Sequence, residues 1–351
     1  MPSIKIKSST GKGEFRYNIA TPFSANAKSI EKNLPTVLML HPVYIPQEIY
    51  HSQHVDPKLR RFNLVTLDYR MHGETTGQSP TKKYGQVEAA EDVAEVMRAL
   101  KLPACHVVGL SLGTIIGLQL AISYPDKVQS LFLMSPLGLE EPEDVANGRI
   151  EIYDYWCQGY GKGGKVDDLT LIHAFYGALQ LGFSNRSSPL INALSKRVYA
   201  LATKTWTPPH FEAYRAATLD IFIQRKRHSR DALSALKNIP IALVHGLADV
   251  AYPLSYTQEF MKQLQNAGVQ TQLYKVADQP HFLNIDISLP EPEVNSILHD
   301  FLVKHADAQA VPVPKEVVSP WDAILRKYGW DPEEEEDNLL MSSLSRLLSC
   351  L

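Results

Sequence analysis

Apolar residues recur along this chain with two periods, and the way the periods alternate predicts the architecture. Ser3–Ser8 and 14–20 alternate apolar and polar positions on either side of Gly11 and Gly13, as the two strands of a hairpin do. Thr36–Leu40 and 62–68 are short apolar runs of β type. Residues 85–100 change period: Val87, Ala90, Val93, Ala94, Val96, Met97 and Leu100 fall at helical spacing, with acidic residues on the other face. After Pro103 comes a third β run, 104–110, then a helix over 112–124 stopped by Pro125, and a strand at Val128–Met134. The pattern resumes later with strands at 239–244 and 269–276 and helices at 254–267 and 291–305. Strands alternating with helices of this length predict an α/β fold with a mostly parallel central sheet, the opening hairpin lying on one edge.

The alternation breaks between 137 and 238, and a structureless loop of that length does not belong in a compact domain. The interruption is helical in pattern and rich in aromatic residues, Trp156, Trp206, Tyr214 and Phe222 among them, which predicts a helical cap inserted over the sheet. The expected organisation is a core in two parts, 1–136 and 239–305, the cap at 137–238, and a linker and C-terminal tail at 306–351. The G-Y-G-K-G-G stretch at 159–164 suits a hinge or mobile loop; it lacks the spacing of a phosphate-binding loop and no strand precedes it. In the tail, 306–320 reads as linker and 321–330 as a short docking helix. An acidic run follows at 333–337, and the closing L-L-M-S-S-L-S-R-L-L is expected to be partly ordered.

Composition narrows the function classes. The 351 residues carry a formal net charge of −3, with 44% hydrophobic and 21% charged positions, which gives no electrostatic footprint for nucleic acid or an anionic membrane. Three cysteines, Cys105, Cys157 and Cys350, are an odd number at wide spacing and suit a reducing compartment. No run of 18 apolar residues occurs and the N-terminus does not read as a signal peptide, so a cytoplasmic protein without a membrane span is expected.

The chemistry concentrates at Gly109-Leu110-Ser111-Leu112-Gly113, a G-x-S-x-G match. Five letters are weak evidence by themselves. Here an apolar strand feeds into them and a helix leaves, and a serine on so sharp a turn needs small neighbours two residues to either side. Gly109 and Gly113 supply them. The turn lifts the hydroxyl above the sheet, and the helix N-terminus turns N–H groups toward any anion formed there.

The stretch H-V-V-G-L-S-L-G-T-I-I-G-L-Q-L-A, with H-P-V after the third strand, D-Y-R-M-H-G-E-T, V-H-G-L-A-D-V-A-Y-P and D-Q-P-H-F in order, resembles the capped serine-hydrolase branch of the α/β-hydrolase superfamily over about residues 14 to 305. That resemblance implies a Ser, acid, His chain order: Ser111 as nucleophile, Asp249 at the end of its strand as the acid, and His281 after the last strand as the base. Asp278 and the cluster Glu140, Glu141 and Asp144 compete for the acid's role. It also implies an oxyanion hole built from the backbone N–H groups of Val43 and Leu112; Pro42, where glycine is usual, has no N–H but is not the donor. Tyr44 is expected to line the pocket and Thr114 to tighten the turn.

Other signals receive plainer readings. His41 is expected to be a structural hydrogen bonder. His51, His54 and Asp56 lack zinc-site spacing and are expected in a solvated loop. The basic cluster Arg225–Arg227 with His228 and Arg230 is expected to form a solvated face. No cofactor and no metal are expected. The function implied is hydrolysis of an ester, thioester or similar acyl bond of a mostly apolar small molecule. An acyltransferase or a C–C bond or lactone hydrolase using the same three residues, or a non-catalytic ligand receptor, stands behind it.

Overall fold

A computed structural model describes residues 1–81, 83–161, 165–285, 293–306, 312–314 and 316–334. Its centre is one sheet in the spatial order β1-β2-β4-β3-β6-β7-β8-β9. The strands are β1 (Ser3–Ser8), β2 (Gly11–Ala20), β3 (Thr36–Leu40), β4 (Asn63–Leu67), the two-residue β5 (Thr76–Gly77), β6 (Cys105–Leu110), β7 (Val128–Met134), β8 (Ile241–Gly246) and β9 (Thr271–Val276). β1 and β2 form the expected antiparallel hairpin at one edge, β2 runs antiparallel to β4, and β4 through β9 are parallel along the path. β3, β4 and β6 are buried at every position, which explains why they read as continuous apolar runs rather than as alternations.

Helices cross between the strands as the period predicted. α1 (Gln86–Ala99) starts where the Glu88 carboxylate accepts the Gly85 N–H at 3.0 Å, and α2 (Leu112–Ser123) is buried along almost its whole length. Between β7 and β8 the chain leaves the sheet for α3 (Glu143–Gln158), α4 (Asp168–Phe183) and α5 (Pro189–Thr205). Helical pieces Phe211–Arg215 and Ile221–Ile223 follow, separated by a π turn at Ala216–Asp220. Asp167 and Ser188 cap α4 and α5 by accepting backbone N–H groups with their side chains. The chain then returns to the core with α6 (Leu254–Asn266) and α7 (Glu293–His305), and a short α8 (Asp322–Lys327) lies beyond it.

Two expectations fail here for one physical reason: residues far apart in sequence cover each other. His51 and His54 are not in a solvated loop but buried, on one face of a short helical turn. His51 packs edge-on against Trp330 at 4.4 Å and His54 against the buried Trp321 at 4.5 Å. Burial holds both imidazoles down at about 3. The 321–330 segment thus docks on the core as expected, helped by Arg60, whose Nη1 donates to the Val318 carbonyl at 2.9 Å. The Arg225 side chain likewise is not on a solvated face but buried, donating to the Gly138 carbonyl at 2.7 Å. Cys350 and the closing leucine-rich stretch lie outside the described residues, as do parts of the 159–164 and 333–337 segments. No helix among the described residues is long and apolar enough to cross a membrane.

Candidate active site

Parallel register places the site. Leu40 pairs with Gly109, Leu110 with Met134, Met134 with Val244, and Gly246 with Val276, so the loops leaving β3, β6, β8 and β9 all emerge at the same edge of the sheet. The carboxyl ends of parallel strands are where α/β sheets bind ligands. Ser111, Asp249 and His281 each stand on one of these loops.

Ser111 sits between β6 and α2 with φ 52°, a strained backbone for a residue carrying a Cβ. The turn is held by Ser111 N–H donating to the Met134 carbonyl at 3.0 Å, and by the Thr114 N–H and hydroxyl donating to the Ser111 carbonyl at 2.8 and 2.6 Å. Thr114 therefore tightens the turn through the backbone, as expected. A Cβ on Gly113 would overlap the Leu40 carbonyl oxygen, and one on Gly109 would overlap the Gly113 carbonyl. The two glycines are thus required by close backbone approach, quite apart from chain flexibility.

Asp249 follows β8 in a loop tied to the histidine loop: Leu247 N–H donates to the Val276 carbonyl and Ala248 N–H to the Gln279 carbonyl, both at 2.9 Å. The Asp249 Oδ1 accepts the N–H groups of Ala251 and Tyr252 at 3.0 and 2.9 Å. Its Oδ2 lies 2.6 Å from His281 Nδ1, and His281 Nε2 lies 2.9 Å from Ser111 Oγ. A carboxylate only accepts, so the imidazole proton belongs on Nδ1, and Nε2 is left to accept from the serine hydroxyl. The three expected side chains are brought into one hydrogen-bonded line, and all three are buried. Of the competing acids, Glu141 pairs instead with Arg149 at 2.7 Å and Arg225 at 3.4 Å.

The loop after β3 runs alongside. Ile45 N–H donates to the Val43 carbonyl at 2.9 Å across Tyr44, whose φ of 70° makes this a tight, strained three-residue turn. Among the described residues neither the Val43 N–H nor the Leu112 N–H has a hydrogen-bond partner. His41 is structural, as expected. Its Nε2 accepts the Tyr69 N–H at 3.1 Å and its Nδ1 donates to the Pro42 carbonyl at 2.6 Å, while burial and the neighbouring His72 hold it well below the ordinary imidazole range. Among the described residues no group of three or more histidine, cysteine, aspartate or glutamate side chains is placed to hold a metal ion.

Two residues near the site carried no sequence signal as functional. Tyr252 stacks on the His281 ring with centroids 4.8 Å apart and planes 23° from parallel, and Arg149, from α3, donates to the Tyr252 hydroxyl at 2.8 Å. The inserted helices reach the site elsewhere too: Phe282 N–H donates to the Gly182 carbonyl at 2.7 Å, and Trp206 packs edge-on against Tyr44 at 5.9 Å. The Trp206 indole also donates to the Met71 carbonyl at 2.7 Å, anchoring the aromatic cluster of the insertion to the loop after β4.

With sheet, elbow and strand-end loops in place, comparison with known proteins gives the class. Residues 37–286 match the model of the alpha/beta hydrolase fold family, and the chain belongs to that family. In sequence it is similar to the putative carbamate hydrolase RutD of Agrobacterium fabrum, 38% identical over 96 residues, which are 26% of this chain and 36% of that protein. The RutD protein of Caulobacter vibrioides strain NA1000 is 35% identical over 83 residues, 24% of this chain and 30% of that protein. The chain thus spans about a third of the length of the curated relatives it matches. Among solved structures, a thermophilic esterase from Thermogutta terrifontis superposes with a TM-score of 0.65 at 18% identity, over 87% of this chain and 100% of that one. A putative aryl esterase from Burkholderia cenocepacia does so with 0.65 at 20% identity, over 87% and 99%. At these identities the likeness is one of fold.

Proposed function

We propose that this protein is a serine hydrolase that cleaves an ester, thioester or similar acyl bond of a small, mostly apolar molecule through an acyl-enzyme. The observation that carries the proposal is the line Asp249–His281–Ser111, with contacts of 2.6 and 2.9 Å. A serine hydroxyl is a poor nucleophile until a base takes its proton, and the base needs a third group to fix its tautomer. In this reading Ser111 Oγ attacks the acyl carbon while its proton passes to His281 Nε2. The oxyanion is held by the N–H groups of Val43 and Leu112, each such donor lowering a barrier by typically ~3 kcal/mol. His281 returns the proton to the leaving group, and water, activated by the same imidazole, releases the acid.

The insertion at 137–238 serves as the cap in this reading, its buried aromatic cluster of Trp156, Trp206 and Tyr214 packed against Tyr44 of the loop after β3. Burial of Ser111 and His281 beneath it keeps the charge-bearing steps out of bulk water. The names of the relatives, carbamate hydrolase and esterase, support the same class of bond. The test is an ester panel of increasing acyl length, with products analysed with and without an added alcohol. We expect the free acid as main product in both cases. A new ester of the added alcohol as main product would make the protein a transferase, and failure to cleave any acyl ester would sink the reading.

A further inference from the structure

A buried cation beside the proposed reaction centre has one arm unused. The Arg149 guanidinium lies flat over the Phe222 ring, 3.7 Å from its centroid, and is wholly shielded from solvent. Its Nε donates to Glu141 Oε1 at 2.7 Å and its Nη2 to the Tyr252 hydroxyl at 2.8 Å, which itself donates to Glu141 at 2.6 Å. Its Nη1 has no hydrogen-bond partner among the described residues. A guanidinium is charged at every physiological pH, so this unpaired, desolvated donor is unfavourable until an acceptor arrives.

Local charge is unbalanced in the same sense. Arg225, its side chain also buried, shares Glu141 through its Nη1 at 3.4 Å, so two guanidinium groups face one carboxylate. Burial would raise the Glu141 carboxyl, but the two arginines bring it below its ordinary value, so it stays ionised and contributes a single negative charge. Asp249, the carboxylate on the other side of Tyr252, has its oxygens taken by His281 and by the N–H groups of Ala251 and Tyr252. Tyr44 and Tyr252 do not supply the missing charge, because burial raises both phenols.

The position of Arg149 points to a ligand rather than to scaffold alone. On one side it holds Tyr252, which stacks on His281. On the other its charge bears on Tyr44, which directly follows Val43. The guanidinium therefore sits between the histidine flank and the oxyanion-loop flank of the site. We infer that Arg149 is a specificity-determining residue that binds a carboxylate on the substrate, so that the acyl compound cleaved here is a monoanion. One negative charge matches one excess guanidinium, and the planar fork of arginine suits a carboxylate. The inference rests on the serine-hydrolase reading for the bond that is broken, but not for the anion that is bound.

The test uses the full chain carrying Ser111→Ala, which holds ester without turning it over. Calorimetry compares monoethyl adipate with ethyl hexanoate, an uncharged ester of equal acyl length. We expect the anionic ester to bind at least tenfold more tightly, the effect of one charge-assisted hydrogen bond in a buried site. Adding Arg149→Met should bring the ratio to within about twofold, while Arg149→Lys, which keeps the charge, should retain part of it. Equal or weaker binding of monoethyl adipate to the Ser111→Ala protein overturns the inference without recourse to any Arg149 variant. Hydrolysis of either ester, monoethyl adipate or ethyl hexanoate, by the wild-type chain reports on Ser111 separately. Turnover without anion preference removes the Arg149 site and leaves the hydrolase, whereas anion preference without turnover leaves the site and removes the hydrolase.

Discussion

Replacing Ser111 by alanine is expected to lower kcat on any ester the protein cleaves by about four to six orders of magnitude, leaving the fold in place. The expectation follows from how little else the hydroxyl does. Its Oγ makes one contact, with His281 Nε2, and the turn around it is held by backbone groups and by Thr114. Alanine also keeps the steric character of a residue at φ 52°, so no new backbone strain is added. Thermal unfolding of the variant should therefore match wild type to within the roughly 0.5–1.5 kcal/mol of one lost hydrogen bond. A variant that keeps its fold and loses turnover places the chemistry on Ser111. Undiminished turnover on the same ester would remove the nucleophile from the account.

The second large effect is expected from Asp249→Asn, with kcat lower by about 10⁴ and substrate binding little changed. The shape of the side chain survives but its hydrogen-bonding sense does not. Oδ1 now accepts the N–H groups of Ala251 and Tyr252, and that demand fixes the asparagine oxygen there. The amide nitrogen is then left facing His281 Nδ1 across the former 2.6 Å contact, and a donor there holds the imidazole proton on Nε2. An imidazole with its proton toward Ser111 cannot take another. Steady-state kinetics on the ester used for Ser111→Ala checks this directly. A fall in KM-dependent terms alone, with kcat preserved, would show that Asp249 shapes the pocket rather than orients the base.

Much of the fold and of the candidate site is legible in the sequence, and the reason is physical. The period of apolar positions tracks burial on one or both faces, so strands such as Thr36–Leu40 and Val128–Met134 could be read to the residue. The elbow was legible because a turn that tight admits only glycine at 109 and 113, which leaves a mark in the chain itself. Asp249 and His281 are implied by the resemblance to the α/β-hydrolases, whose chain order puts the acid and the base after the last strands. The exchange of β3 and β4 in the sheet, by contrast, is not encoded in any local period.

What stayed hidden is what depends on contacts between distant segments. His51 and His54 are polar residues in a short loop by sequence, and only the arrival of Trp321 and Trp330, some 270 residues later by roughly that count, buries them. Arg149 reads as one more charge on an amphipathic helix, E-D-V-A-N-G-R-I, until the fold lays it on Phe222 and against Tyr252. Arg225 follows the same rule: a basic run suggests solvent, while the carbonyls of Gly138 and Leu139 and the carboxylate of Glu141 make a buried berth for its first member. Local pattern reports the face an element hides. It is silent on which partner hides it.

The central claim is that Ser111 is a nucleophile activated by His281 and Asp249. It is tested most directly by treating the protein with a fluorophosphonate and locating the adduct by mass spectrometry of its peptides. The account predicts a single phosphonyl group on Ser111, absent from Ser111→Ala and formed far more slowly in Asp249→Asn. An adduct on another residue, or an unlabelled Ser111 in protein that still cleaves esters, would contradict it.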